Sequence, residues 1–195
     1  MTRFGVLALQ GDFAAHLAAL RGLGLEAVEV RRCRQIEGLS GLVLPGGEST
    51  TLLNLMSDEP WFETLRGFHG EGGALFGTCA GAILLAREVR GSSQRSLGLL
   101  DAAIERNAYG RQVDSFEVTI EAPLLGAGLP AVFIRAPRFV ALGPEVEVLA
   151  WHGEEPVLVR QGRLLAATFH PEIAGESRLH RLFADLATRR QPVLA

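Results

Sequence analysis

The sequence predicts an α/β protein: one three-layer α/β/α domain, residues 1–195, built on a mixed, mostly parallel central sheet. Three observations carry this. First, short apolar runs such as FGVLALQ at Phe4–Gln10 and GLVL at Gly41–Leu44 read as strands buried on both faces, as parallel sheets require. Second, the chain opens as strand, helix, strand, which is a β-α-β unit. Third, the connections beyond residue 116 are short and carry Gly or Pro. They leave no room for crossover helices, so this half contributes antiparallel pairs.

The elements follow in order. After Phe4–Gln10, Asp12 is placed to cap a helix over Phe13–Gly24, with Leu17 and Leu20 inward. Glu26–Arg31 alternates like a strand, and Gly41–Leu44 is the next. Leu52–Met56 and Trp61–Phe68 read as helices split near Pro60. Ala74–Phe76 is a strand and Ala82–Ala86 a helix, followed by a polar loop at Ser92–Ser96. Strand signals recur at Leu97–Asn107, Phe116–Glu121, Ala131–Arg135, Phe139–Leu142, Val146–Trp151, Val157–Arg160 and Arg163–Phe169. Gln161-Gly162 marks a hairpin. Glu176–Thr188 closes the fold as an amphipathic helix with Leu179, Leu182, Phe183 and Leu186 inward.

Composition excludes several function classes. A net charge of −3 and a pI near 6.0 give no reason to expect nucleic acid or an anionic membrane. No apolar stretch approaches the ~20 residues of a membrane helix. The N-terminal run has no signal-peptide layout. The two cysteines, Cys33 and Cys79, form no C-x-x-C pair, which points to a reducing cytoplasm. The five histidines form no metal-ligand spacing, so no metal is expected. His16 and His180 are expected at the surface or boundary of their helices. The first turn lacks G-x-G-x-x-G, which argues against a dinucleotide cofactor.

The candidate chemistry starts at Gly77-Thr-Cys-Ala-Gly81, between the Ala74–Phe76 strand and an apolar helix. The spacing G-x-C-x-G is the cysteine counterpart of a nucleophile elbow. The flanking glycines make room for an awkward turn that projects the thiol from the carboxyl end of a strand. The following helix N-terminus favours its thiolate. A small core cysteine before a helix would look the same. His170-Pro171-Glu172, just past the Arg163–Phe169 strand, supplies a base and a carboxylate to orient it. A loop histidine beside a solvated Glu is the plainer alternative, and the two segments together favour the catalytic reading.

Pro45-Gly-Gly-Glu-Ser-Thr-Thr51 follows a strand and precedes a helix. Backbone N–H groups there can converge on a ligand. The Walker lysine is missing and Glu48 would repel an anion, so a donor pair for an oxyanion fits better than a phosphate cradle. Glu48 and Ser49 would then be free to hold a polar substrate. A tight turn with a Ser/Thr helix cap fits equally. Arg106 and Arg135 lie near strand ends, where either a carboxylate clamp or an ordinary surface arginine is consistent with the sequence.

These motifs resemble class I glutamine amidotransferases. Leu7-Ala-Leu-Gln-Gly11, Leu97-Gly-Leu-Leu-Asp101, the segment from Arg106 to Glu117 and Val132-Phe-Ile-Arg-Ala-Pro137 narrow the resemblance to the glutaminase subunits of pyridoxal 5′-phosphate synthases. The resemblance runs from the first strand to the last helix and implies a flavodoxin-like sheet. It implies Cys79 as nucleophile, His170 as general base and acid, and Glu172 as orienter. Backbone N–H groups of Gly47 and Ala80 would form the oxyanion hole, and Gly47, Glu48, Ser49, Arg106, Ile134 and Arg135 would line a glutamine pocket. Gln10 would lie close by. The implied partner is a barrel-shaped synthase subunit in a large hetero-oligomer, with weak activity alone and activation on docking. Three competitors remain: a cysteine hydrolase or redox-stress protein on the same elbow, a non-catalytic binding partner, and a subunit that feeds ammonia to histidine synthesis.

Overall fold

Seven strands make the central sheet of the computed structural model, which describes residues 2–106, 115–126 and 128–188. The elements are β1 (Arg3–Leu7), α1 (Phe13–Gly22), β2 (Glu26–Val30), β3 (Gly41–Leu44), α2 (Ser49–Leu55), α3 (Trp61–Gly70), β4 (Ala74–Thr78), α4 (Ala80–Leu85), β5 (Ala86–Arg90) and β6 (Leu100–Glu105). They continue with β7 (Ser115–Ile120), β8 (Leu129–Ile134), β9 (Arg138–Leu142), β10 (Glu147–His152), β11 (Glu155–Gln161), β12 (Leu164–Ala167) and α5 (Arg178–Thr188). The central order is β10-β11-β12-β4-β3-β1-β2. From β12 to β2 every neighbour is parallel; β10 and β11 add an antiparallel edge.

Alternation along the parallel strands builds two cores. Phe4, Val6, Val43, Phe76 and Leu165 face α1 and α5. Leu7, Leu42, Leu44, Leu75 and Ala166 face α2, α3 and α4. The inner strands β3, β4 and β12 thus lose both faces to packing, which is why their sequences are almost wholly apolar. The result is the α/β/α layering that the sequence predicts. Gly162, at φ 57°, turns the antiparallel β11–β12 hairpin as expected.

Two small sheets depart from a single mixed sheet. β7–β8 packs Ile120, Leu129 and Phe133 into the α1/α5 core, while β5–β6–β9 packs Leu100, Ile104 and Phe139 into the other. The β5 strand is unexpected. Ala86 continues the apolar run of α4, but it leaves the helix at φ −58°, ψ 150° and pairs with β6. β1 also ends at Leu7, short of Gln10. Asn107, the expected end of the sixth strand, lies outside the described residues. Among the described residues no helix is long and apolar enough to cross a membrane.

Candidate active site

Three strand ends converge at the carboxyl edge of the sheet. β4 delivers Cys79 at φ 47°, ψ −103°, a conformation rare for a residue with a side chain. The elbow leaves no space for larger neighbours. A Cβ on Gly77 would sit 2.5 Å from the Gly81 carbonyl, and one on Gly81 would collide with the Leu44 carbonyl at the end of β3. The Cys79 N–H donates to the Ala167 carbonyl at 2.8 Å, which ties the elbow to the end of β12.

The chain leaving β12 carries His170, whose N–H donates to the Val132 carbonyl of β8 at 2.8 Å. Its Nδ1 lies 2.8 Å from Glu172 Oε1. Its ring also hydrogen-bonds the Cys79 side chain. Burial opposes charge on the imidazole, but the hydrogen bonds and negative charges of Cys79 and Glu172 prevail and hold it up to about 10. Burial likewise opposes charge on Glu172, and the nearby His16 and His170 hold its carboxyl well below the usual carboxylate range. Sequence-distant Cys79, His170 and Glu172 are therefore one contiguous, nearly buried unit.

A cleft of about 260 Å³ opens onto this unit. It is lined by Gly47, Glu48, Ser49, Ile83, Arg106, Ile134 and Arg135 beside Cys79 and His170. Arg135 ends β8 at φ 43°, so the expected strand to Arg135 stops one residue early at Ile134. Gly46 has to be glycine, because a Cβ there would strike the His170 ring. Gly47 takes φ 138° and lies against Gln10. The N–H of Gly46 donates to Thr78 Oγ1 at 3.0 Å, and that of Glu48 donates to Gln10 Oε1 at 3.2 Å. Ala80 opens α4, so its N–H has no acceptor within that helix.

The structure corrects the expectation that Glu48 and Ser49 are free. Glu48 caps α2: its carboxylate accepts from the N–H groups of Thr50 and Thr51 at 3.1 and 2.6 Å, and from both hydroxyls. Those bonds, the Thr50 hydroxyl first, pull its carboxyl down to about 2. Arg106 stands 3.6 Å from the same carboxylate. Ser49 Oγ donates to Gln94 Oε1 at 2.8 Å.

His16 and His180 are the second correction. Both are fully buried rather than at the surface, and they meet at 2.8 Å between Nδ1 of His16 and Nε2 of His180. Helical spacing carried the signal: His16 shares a face with Phe13, Leu17 and Leu20, and His180 with Phe183, Ala184 and Ala187. Ile83 and Gln94 also touch the site and had no distinguishing pattern. A second cleft of about 440 Å³, lined in part by Cys33, Thr64 and Phe68, has no such unit. There, burial pushes the Cys33 thiol up. Among the described residues no three His, Cys, Asp or Glu side chains are grouped to hold a metal ion.

The chain is similar in sequence and fold to known proteins. The sequence model of the SNO glutamine amidotransferase family matches residues 6–188. The chain is 57% identical over 185 residues to the pyridoxal 5′-phosphate synthase subunit PdxT of Thermus thermophilus, covering 94% of this chain and 96% of that one. It is 52% identical over 191 residues to the subunit of the same name from Deinococcus radiodurans, covering 95% and 97%. A crystal structure of a glutamine amidotransferase matches with a TM-score of 0.90 at 54% identity, covering 95% of this chain and 99% of that one.

Proposed function

The chain belongs to the SNO glutamine amidotransferase family, and we infer that it is the glutaminase subunit of a pyridoxal 5′-phosphate synthase, hydrolysing L-glutamine to L-glutamate and ammonia for the synthase. The observation that carries the chemistry is the Cys79–His170–Glu172 unit at the floor of the cleft.

In this reading, glutamine enters with its side-chain amide over Cys79. Arg106 and Arg135 hold its charged end, and Ile134 walls the methylenes. The Cys79 thiolate attacks the amide carbon. The carbonyl oxygen becomes an oxyanion that accepts from the N–H groups of Gly47 and Ala80. His170 gives the proton from Nε2 to the departing nitrogen, the C–N bond breaks, and ammonia leaves a γ-glutamyl thioester. The same nitrogen then deprotonates a water, which attacks the thioester carbon. Glutamate departs and the thiolate is restored. Throughout, Nδ1–H stays on Glu172, which fixes the tautomer and balances the imidazolium.

Glu48 and Ser49 serve this pocket by shaping it: their side chains cap α2 and hold Gln94, and their backbone faces the substrate. Residues 1–195 act as one glutaminase domain. The partner is a barrel-shaped synthase subunit in a large hetero-oligomer, in the cytoplasm. Docking completes the oxyanion hole by resetting the glycine-rich Pro45–Glu48 loop, which Gln10 holds through the Glu48 N–H. The test is ammonia release from glutamine by the purified chain, with and without the synthase subunit. Glutamine-dependent release that rises on adding the synthase is expected. No release in either condition would refute the glutaminase reading, and equal rates would refute activation.

A further inference from the structure

The turn that leaves β3 is gripped on both sides of Gly47. Before it, the N–H of the buried Gly46 donates to Thr78 Oγ1 at 3.0 Å. After it, the Glu48 N–H donates to Gln10 Oε1 at 3.2 Å. The Gly47 N–H between them donates to no acceptor among the described residues, and Gly47 is exposed to the cleft. The Gly46 carbonyl lies against Gly11, where a Cβ would collide with its oxygen. A trans peptide points its carbonyl and its N–H in opposite directions. Whatever fixes Gly46 therefore also fixes the direction of the Gly47 N–H.

Thr78 ends β4, directly before Cys79, and is fully buried. It is the one polar side chain in that strand, ALFGT. Backbone pairing between β3 and β4 reaches Leu44 and Gly77. Just past that point the Thr78 hydroxyl takes the Gly46 N–H, so a side chain adds one more rung where the ladder has ended. A valine of the same shape would leave a buried N–H with no acceptor, which is costly.

The hydroxyl is itself held. It has one hydrogen and two lone pairs. A lone pair takes the Gly46 N–H, and the hydrogen is free to go to Nε2 of His16 at 3.3 Å. Beyond it, Nδ1 of His16 meets Nε2 of His180 at 2.8 Å, and Nδ1 of His180 reaches the Glu176 carbonyl at 3.3 Å. Two neutral imidazoles, each with its proton on Nδ1, give all four contacts one donor and one acceptor. Burial pushes the His180 imidazole down to about 4, in keeping with a neutral ring. Glu172 Oε2, 3.4 Å from the same His16 Nε2, is no part of this line.

We propose that Thr78 is a positioning residue for the glutaminase reaction: its hydroxyl, by holding the Gly46 N–H, sets the peptide that presents the Gly47 N–H to the substrate's developing oxyanion. This rests on the glutaminase reading of Cys79, His170 and Glu172. Thr78 acts through Gly46 and makes no contact with the reacting atoms. One strand end thus places the nucleophile and, by a single hydrogen bond across to the end of β3, a donor for the charge that the nucleophile creates.

The test uses the complex with the synthase subunit. Thr78→Val keeps the shape and removes the acceptor, whereas Thr78→Ser keeps the hydroxyl. Valine is expected to lower kcat for glutamine by about 10- to 10²-fold with KM near native, and serine to restore most of it. Alkylation by iodoacetamide, followed at Cys79, separates positioning from general damage, because displacement at a saturated carbon builds no oxyanion. Its rate should stay near native in both variants. A valine variant with native kcat, a serine variant as slow as valine, or alkylation slowed in step with hydrolysis would each overturn the proposal. Should valine prevent folding, Thr78→Ala against Thr78→Ser makes the same comparison, since both shorten the side chain and only serine keeps the hydroxyl; equal kcat in that pair would overturn the proposal. A native complex that releases no ammonia from glutamine would refute the glutaminase reading itself, and the proposal with it.

Discussion

His170 Nδ1 and Glu172 Oε1 stand 2.8 Å apart in a pocket where neither side chain is more than slightly exposed. Only one intervening residue, Pro171, separates them, so the pairing is local while its target, Cys79, is 91 positions upstream. The carboxylate favours the imidazolium form of His170 beside Cys79.

Glu172→Gln should therefore lower glutaminase turnover by about 10²–10⁴-fold, the usual worth of a positioned acid–base group. The His170 imidazole, no longer held near 10, should fall back toward its ordinary 6.5. Alkylation of Cys79 at pH 8 should slow accordingly. The stability consequence has a definite sign. His170 is raised in the folded state, so its contribution is complete below 6.5 and is lost as pH climbs through about 10. Glu172 is lowered, so its contribution is present above 4.5 and is lost as pH falls below that. Denaturant titrations of native and variant chains should differ most between these limits and converge on both sides.

The elbow should resist the smallest enlargement. Gly81→Ala places a methyl against the Leu44 carbonyl, a backbone atom that cannot rotate away. Destabilisation of about 1–3 kcal/mol or more is expected from overpacking, read as a lower denaturation midpoint. Gly67→Ala, where nothing lies within 4 Å of the added carbon, is the control and should not destabilise.

Glu48 should act as a cap. Glu48→Ala is expected to cost about 0.5–1 kcal/mol, toward the low end for an N-cap because the side chain is 43% exposed and screened. The carboxyl is held near 2 by the threonine hydroxyls and amides, so the difference should be full above 4.5 and disappear as pH falls toward 2. Chemical denaturation across that range measures it.

Arg106 should matter for binding more than for chemistry. In the proposed complex it grips the substrate carboxylate, a charge-assisted contact worth about 1.5–3 kcal/mol. Arg106→Ala should raise KM for glutamine about 10- to 100-fold with a smaller change in kcat. Steady-state kinetics with the synthase subunit present separates the two.

Much of the site can be read from residue order, for reasons particular to each part. The elbow is legible because glycine is forced on both sides of Cys79 by backbone contacts, and His170 and Glu172 because they leave a strand as a compact motif. β3 is legible to the residue because Pro45 and the glycines end it abruptly. The cap role of Glu48 is not legible, since glutamate is an unusual N-cap and its two threonine partners suggest caps themselves. β5 hides in the tail of an apolar helix, and only pairing with β6 reveals it. His16 and His180 show the limit most clearly. Each sits on an apolar helical face, but which polar atoms lie opposite depends on α1 and α5 packing side by side across the sheet.

The most direct test compares native chain and Cys79→Ala, each assembled with the synthase subunit, for ammonia released from L-glutamine. The variant should fold and dock as the native chain does and release no ammonia above background. A variant that releases ammonia at the native rate would contradict Cys79 as the nucleophile.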